Sequence, residues 1–578
     1  MNHSRRYRLL AIAIASLSVL STASARPYRR CIDRVASLDP VDSVTVCASR
    51  CIALVYETLL EYDYTARPYR LKPNLATALP VISDDGRTYT FTIDTNEIFM
   101  ADPCFGRTPS GAPKSRAVTA EDFVYSFKRL ADAKTPSSGY WLLEGSVEGI
   151  DAFHTASRSK APTDYSIPVP GLSAPAPDTF VIRLRKPSPV FTWFLAMPYL
   201  SAVPHEAVET YGDDFREHPV GTGPYRLAKW RRNYSLRFAR REEWRGWRTP
   251  EVLRDREQGL VPFDELLFPL MDDASTQWLA FLAGELDMQG EIGRDNWSEV
   301  VMADDSLNPK LEKMGIRISR IPTLEVSYIG LNMDDPVLGT NRFLRQALNA
   351  AFNASRWAEY YRGRALPSNG PVPPQVEGYR TNSLPFGRGI EVAKALLAKA
   401  GYPDGRDPTT GRRLRLTLDL GKTTQDMRES SELLVAFMDR CGIDLTTEYS
   451  SWPAFLNKIS QRRSQMFRIA WVGDYPDAEN FLQLFYGPNA SPGPNRCNYS
   501  NPEFDRLYRQ AVSTPDPKER LALYDQLQAI IQEDCPWIFI SYATAASLYR
   551  ADLLRYLPHD FPYGMEKHLR HRVDSQAK

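Results

Sequence analysis

Apolar residues recur at helical spacing in some stretches and at every second position in others, and the two patterns interleave along the whole chain. Phe123, Phe127 and Leu130 share one helical face behind Thr119-Ala-Glu-Asp122, a capping-box-like start. The stretch 342–361 reads as one helix, with Phe343, Ala347, Leu348, Ala351 and Phe352 in phase. Asn501-Pro502 caps and opens another that runs to Val512, and a helix over 391–400 stops at Gly401. Strand patterns fall at 89–93 after the turn Ser83-Asp-Asp-Gly86, at 179–184, and at the alternating Leu414, Leu416, Leu418 and Leu420. Two more are expected at 465–471 and 537–542. Pro- and Gly-rich stretches at 161–177, 367–378 and 487–495 read as surface loops or connections between lobes. Helices and strands that alternate in this way indicate a mixed α/β protein.

At 578 residues the chain exceeds what one hydrophobic core supports, so two or more domains are expected. Its 71 Lys and Arg residues nearly cancel its 70 Asp and Glu. That balance leaves no basic footprint for a nucleic acid or an anionic membrane. The first 25 residues read as an export signal. Arg5, Arg6 and Arg8 precede an apolar run over 9–20, and Ala23-Ser24-Ala25 gives a small-residue cleavage pattern. The run is shorter than the ~20 residues a bilayer span needs, so it reads as removable. Ser4-Arg5-Arg6 hints at a twin-arginine signal, a pattern that Arg8 and Leu10 do not continue. With no cysteine at the cleavage point, no lipid anchor is expected. The mature chain should be periplasmic. Seven cysteines in an oxidising compartment point to some disulfides, with at least one thiol left over, or to buried thiols.

Enzyme motifs are missing. There is no phosphate-binding G-x4-GK[ST] loop, no strand-linked G-x-G-x-x-G, no HExxH and no G-x-S-x-G elbow. The seven histidines are scattered; His568 and His571 have helical spacing but sit in a basic C-terminal region. No cofactor or metal is expected.

Several segments, in order, resemble the extracytoplasmic solute-binding proteins that feed ABC importers, in the branch that binds oligopeptides, dipeptides and nickel chelates. They are LDP at Leu38, VYETLLEYD at Val55, LKPNLATALP at Leu71, TYTFTI at Thr88, TAEDFVYSFKRLAD at Thr119 and HPVGTGPYRLAKW at His218. FLAGELDM at Phe281, YIGLNM at Tyr328, FLRQALNAAFN at Phe343, AKALLAKAGYP at Ala393, AWVGDYPDAENFLQLFYG at Ala470 and NPEFDRL at Asn501 follow. The resemblance spans nearly the whole mature chain. It implies a two-lobed, class II-like periplasmic-binding-protein fold with an extra domain inserted in the first lobe, closing on ligand as a trap. By these landmarks the first lobe takes 26–60, 200–325 and 542–578, the inserted domain 61–199 and the second lobe 326–541. The implied partners are a small peptide and a membrane ABC permease, and the implied state is a monomer.

The same resemblance gives site residues. The aspartate matching Asp474 takes a peptide's N-terminal ammonium in relatives, and a carboxylate at a strand's end suits that role. From its spacing alone, Asp474 could instead cap a local helix over 478–485. Trp471 and Tyr475 would be flat walls that bury ligand side chains. Arg468 matches a basic residue that can meet the ligand's C-terminal carboxylate, or is a strand arginine on a solvated face. Tyr140 and Trp141 fall where the inserted domain offers an aromatic, with core packing as the rival for Trp141. Val46 matches a segment whose backbone pairs with ligand like an added strand. Some oligopeptide binders bridge the second lobe with a cysteine pair; here the matching positions are Ser327 and Val472. A nickel chelate, an oligosaccharide or an opine-like compound stays open as ligand, and a secreted hydrolase is the alternative of another class.

Overall fold

The computed structural model describes residues 27–573 apart from 136, 272 and 291; the expected export signal lies outside the described residues. The fold is α/β and two-lobed, with an extra domain inserted in the first lobe. Among the described residues no helix is long and apolar enough to cross a membrane.

Two long strands, Ile316–Leu331 and Trp537–Arg550, tie the molecule together. They are antiparallel neighbours from Ile316↔Arg550 to Pro322↔Thr544, and again from Val326↔Tyr542 to Gly330↔Trp537. Between these runs the register shifts, and such irregularities bend a strand. On one side of the shift Met288–Gln289 pairs with Leu548 and Tyr549. On the other, Met466–Val472 pairs with Glu325–Leu331 along its whole length. Arg415–Leu420 and Asp444–Tyr449 continue the sheet in parallel.

A four-stranded sheet buries Tyr28, Phe238 and Phe268 in one core cluster with Trp247, whose ring meets Tyr225 and Trp244. A second, of Val81–Ile82, Thr88–Thr92, Thr179–Arg183 and Leu172–Ala176, carries the helix Ala120–Ala131. There Phe123 and Phe127 meet Phe180 at ring-centroid distances of 5.7 and 5.4 Å. The expected capping residue is in place: the Asp122 carboxylate accepts the Thr119 amide at 2.8 Å. The helix expected over 342–361 is two, Arg342–Ala351 and Ala354–Tyr361. Asn353 breaks it, because its side chain accepts the Arg356 amide at 3.0 Å and restarts the turn as an N-cap. The strand expected at 537–542 runs on to Arg550, since beyond the register shift it keeps pairing with Ile316–Pro322.

All seven cysteines are free thiols, so the expected disulfides are not formed. Burial explains the placement of several: Cys497 accepts the Trp537 indole N–H at 3.1 Å, and Cys535 donates to the Gln532 carbonyl at 3.2 Å.

Candidate functional site

The strands Arg415–Leu420 and Asp444–Tyr449 are parallel, and Met466–Val472 is parallel to the first. Their carboxyl ends therefore lie together, and the loops at Gly421, Ser450 and Gly473 share one edge. In open α/β sheets ligands bind in the crevice at that edge. Packing there is tight. A Cβ on Gly421 would come within 2.7 Å of the Phe455 ring, and one on Gly473 within 2.8 Å of the Phe481 ring.

Met466–Val472 has one feature its neighbours lack. Toward Arg415–Leu420 it is paired only at Met466, Phe467 and Arg468. Among the described residues no strand continues that pairing over 469–472, so alternate backbone N–H and C=O groups there face an open edge. The same segment has one open face. Glu325 stands opposite Val472 and Ser327 opposite Ala470, and cross-strand partners share a face. Val472 is 63% exposed, and Ala470 is also exposed. Leu324 and Val326 point the other way and are buried.

Asp474 follows this strand. It retains solvent access while protein crowds its surroundings, and that burial raises its carboxyl above the usual range, with an Asn480 hydrogen bond pulling the other way. Asn480 is 1% exposed and organises the loop. Its Oδ1 accepts the Asp474 amide at 3.1 Å and the Trp471 indole N–H at 3.0 Å, while its Nδ2 donates to Asp474 Oδ2 at 3.4 Å. No lysine, arginine or histidine among the described residues makes an ion pair with Asp474. Nor does Asp474 cap the helix Glu479–Leu482, because Asp477 Oδ1 accepts the Glu479 amide at 2.9 Å. Tyr199 and Tyr563 feel the Asp474 charge. Burial, and then that charge, raises the Tyr563 hydroxyl; Asp474 contributes a smaller share at Tyr199.

The other expected site residues divide. Arg468 lies on the Ala470–Val472 side of the strand. It donates to Ser430 Oγ at 2.8 Å and the Tyr361 hydroxyl at 3.1 Å, with its guanidinium 4.8 Å from the centre of the Trp357 ring. Those partners are neutral, so its charge is not offset by a contacting carboxylate among the described residues. Trp471 alternates to the opposite face, where it is half-buried against the core. Tyr475 is buried, so it is not an exposed flat wall: its hydroxyl donates to Glu479, as does that of Tyr508. Burial, then Asp477 and Asp474, keeps the Glu479 carboxyl high despite those two bonds. The Tyr475 ring meets Phe194 edge-on at 5.3 Å, and Phe194 meets Trp141 at 5.5 Å. Trp141 is 43% exposed, which excludes core packing for it. Tyr140 is occupied elsewhere, with its hydroxyl on Asp151 at 2.6 Å and its ring stacked on His154 at 4.1 Å. Val46 is the first residue of the helix Val46–Val55, which Thr45 caps by accepting the Ala48 amide at 3.1 Å. A helical Val46 cannot pair with ligand as an extended strand.

Asn480, Tyr199, Tyr563 and Glu325 were not singled out from sequence. Glu325 had a readable signal, a lone carboxylate in the apolar strand pattern after Leu324. Tyr199 and Tyr563 had none, because only the fold brings them to Asp474.

A family model for bacterial extracellular solute-binding proteins, family 5 Middle, matches residues 70–493. Heme-binding protein A of Haemophilus influenzae is 25% identical over 88% of this chain and 85% of its own length. Di/tripeptide-binding protein 4 of Pseudomonas aeruginosa is 26% identical over 93% of each, and the dipeptide-binding protein of Escherichia coli 24% identical over 82% of each. Among solved structures, the unliganded open form of the periplasmic murein tripeptide binding protein MppA superimposes with a TM-score of 0.75 at 22% identity, covering 95% of this chain and 98% of that one. HbpA2 from Haemophilus parasuis gives the same TM-score over 95% of this chain and all of that one. The relatives are solute-binding proteins, a class that serves ABC importers from the periplasm. This chain belongs to the family 5 bacterial extracellular solute-binding proteins.

Proposed function

We propose that this protein binds short peptides between its lobes and delivers them to a membrane ABC permease, without catalysing a reaction on them. One observation carries the reading: the open backbone edge at 469–472, ending at the carboxylate of Asp474, which has no ion-pair partner among the described residues. An extended peptide can add to that edge as a strand and leave its side chains unspecified. Its terminal ammonium supplies Asp474 with a positive charge and three donors. Arg468, bound only to neutral groups, is the cation for the opposite terminus. Six residues separate the two, at most about 20 Å of chain, and the strand is extended only as far as Val472. Allowing for the reach of both side chains, that suits an extended tri- or tetrapeptide of roughly 10–14 Å.

The lobes divide, on this reading, where the crossing strands lose register, near 325/326 and 541/542, with 61–199 as the inserted domain. Closure about those strands would bring Tyr199 and Tyr563 over Asp474 and dry the pair. The likeness to proteins named for di- and tripeptides supports a peptide, while the one named for heme keeps another solute in view. Native mass spectrometry of protein purified without refolding tests the reading. A ladder of masses consistent with tri- and tetrapeptides is the expected result; a single non-peptide mass that resists exchange with added peptides would contradict it.

A further inference from the structure

We infer that Glu325 selects ligands that carry a second positive charge, a lysine- or arginine-type side chain, beside the group held at Asp474. The inference rests on the peptide reading above and deepens it. Glu325 lies on the strand Ile316–Leu331, next to the register shift where the chain crosses between lobes. Its cross-strand partner Val472 fixes its face as the open one, which continues through Ser327 and Ala470. There the carboxylate is half-buried and, among the described residues, has no hydrogen bond or ion pair. The charge that faces it is Lys422, an exposed residue beyond the end of Arg415–Leu420, which lowers its pKa without forming an ion pair. Burial outweighs that effect and holds the carboxyl above the usual range.

A carboxylate drawn out of water without a partner costs folding free energy, and a positively charged ligand group recovers it. Geometry says which group. A ligand strand on the 469–472 edge lies two strand spacings, about 10 Å, from the Glu325 backbone. Across that gap a long basic side chain meets the glutamate, whereas a short or apolar one leaves it unpaired and an acidic one repels it.

Calorimetry with alanine tripeptides tests this. Each position in turn carries lysine or its uncharged near-isostere norleucine, titrated into the wild type and into Glu325→Gln, with thermal melts confirming that both fold. At one position lysine should bind at least tenfold tighter than norleucine in the wild type, and that ratio should fall to within twofold in Glu325→Gln. Charge reversal in Glu325→Lys should move the preference to a glutamate peptide over its glutamine counterpart. Binding that is indifferent to lysine at every position, or a preference that survives in Glu325→Gln, overturns this inference and leaves the peptide reading standing. If neither tripeptides nor tetrapeptides bind, the peptide reading falls and this inference with it.

Discussion

Asn480 holds Asp474 from both sides: its side-chain oxygen takes the Asp474 amide at 3.1 Å, and its side-chain nitrogen touches the Asp474 carboxylate at 3.4 Å. The same oxygen takes the Trp471 indole N–H at 3.0 Å, so one buried amide sets the backbone, the carboxylate and the neighbouring ring. Asn480→Ala should leave both of those N–H groups short of an acceptor. It should cost about 0.5–1.5 kcal/mol of stability for each of these part-buried hydrogen bonds and weaken peptide binding by loosening Asp474. Urea unfolding and calorimetry read the two effects separately; full affinity in a folded Asn480→Ala protein would remove Asn480 from the site.

Glu479 makes a prediction about pH. It is buried, and its carboxyl is raised above the ordinary value. The folded state therefore holds the proton more tightly than the unfolded state. The stability this brings is complete below the unfolded pKa of ~4.3 and is lost as pH rises through the higher folded pKa. Glu479→Gln should remove that dependence, while Glu479→Ala should cost more at every pH, because the Tyr475 and Tyr508 hydroxyls lose their acceptor. Melting curves from pH 4 to 8 compare the three; a wild-type curve that gains stability over the rise would contradict the assignment.

Asp474 titrates in the opposite functional sense. Its raised carboxyl must be ionised to hold an ammonium, and the bound ammonium pulls its pKa down. Peptide affinity should be flat above the pKa of the free protein. It should fall as pH drops from there toward the lower pKa of the complex, with proton uptake on ligand release. Calorimetry in buffers of different ionisation enthalpy measures that proton count.

Gly473 sets how closely the loop approaches the crossing strand. A Cβ there would stand 2.8 Å from the Phe481 ring and 3.3 Å from the Leu324 Cβ. Gly473→Ala should therefore cost about 1–3 kcal/mol by overpacking, measurable by chemical unfolding, and should shift Asp474 enough to weaken ligand.

Local pattern was a good guide where a residue's role is set by its neighbours in sequence. Thr119–Asp122, the alternating leucines after Leu414 and the break at Gly473 could all be read directly. It failed where a short polar side chain redirects the chain, as Asn353 does in splitting one helix into two. It also failed for facing. The tyrosine beside Asp474 suggested a wall, but Tyr475 turns inward to Glu479, and it is a distant tyrosine, Tyr563, whose hydroxyl feels the Asp474 charge. Asp474 itself was a candidate through the family resemblance around it. The open edge that gives it meaning depends on where a strand fifty residues earlier stops pairing, and no local pattern carries that information.

The central claim is that Asp474 binds a peptide's free ammonium. Calorimetry with one tripeptide, free and N-acetylated, on wild type and Asp474→Asn tests it most directly. Acetylation and Asp474→Asn should each weaken binding by about 2–5 kcal/mol, and combining them should add little. Equal affinity of the wild type for the free and acetylated peptide, or an unaltered affinity in Asp474→Asn, would contradict it.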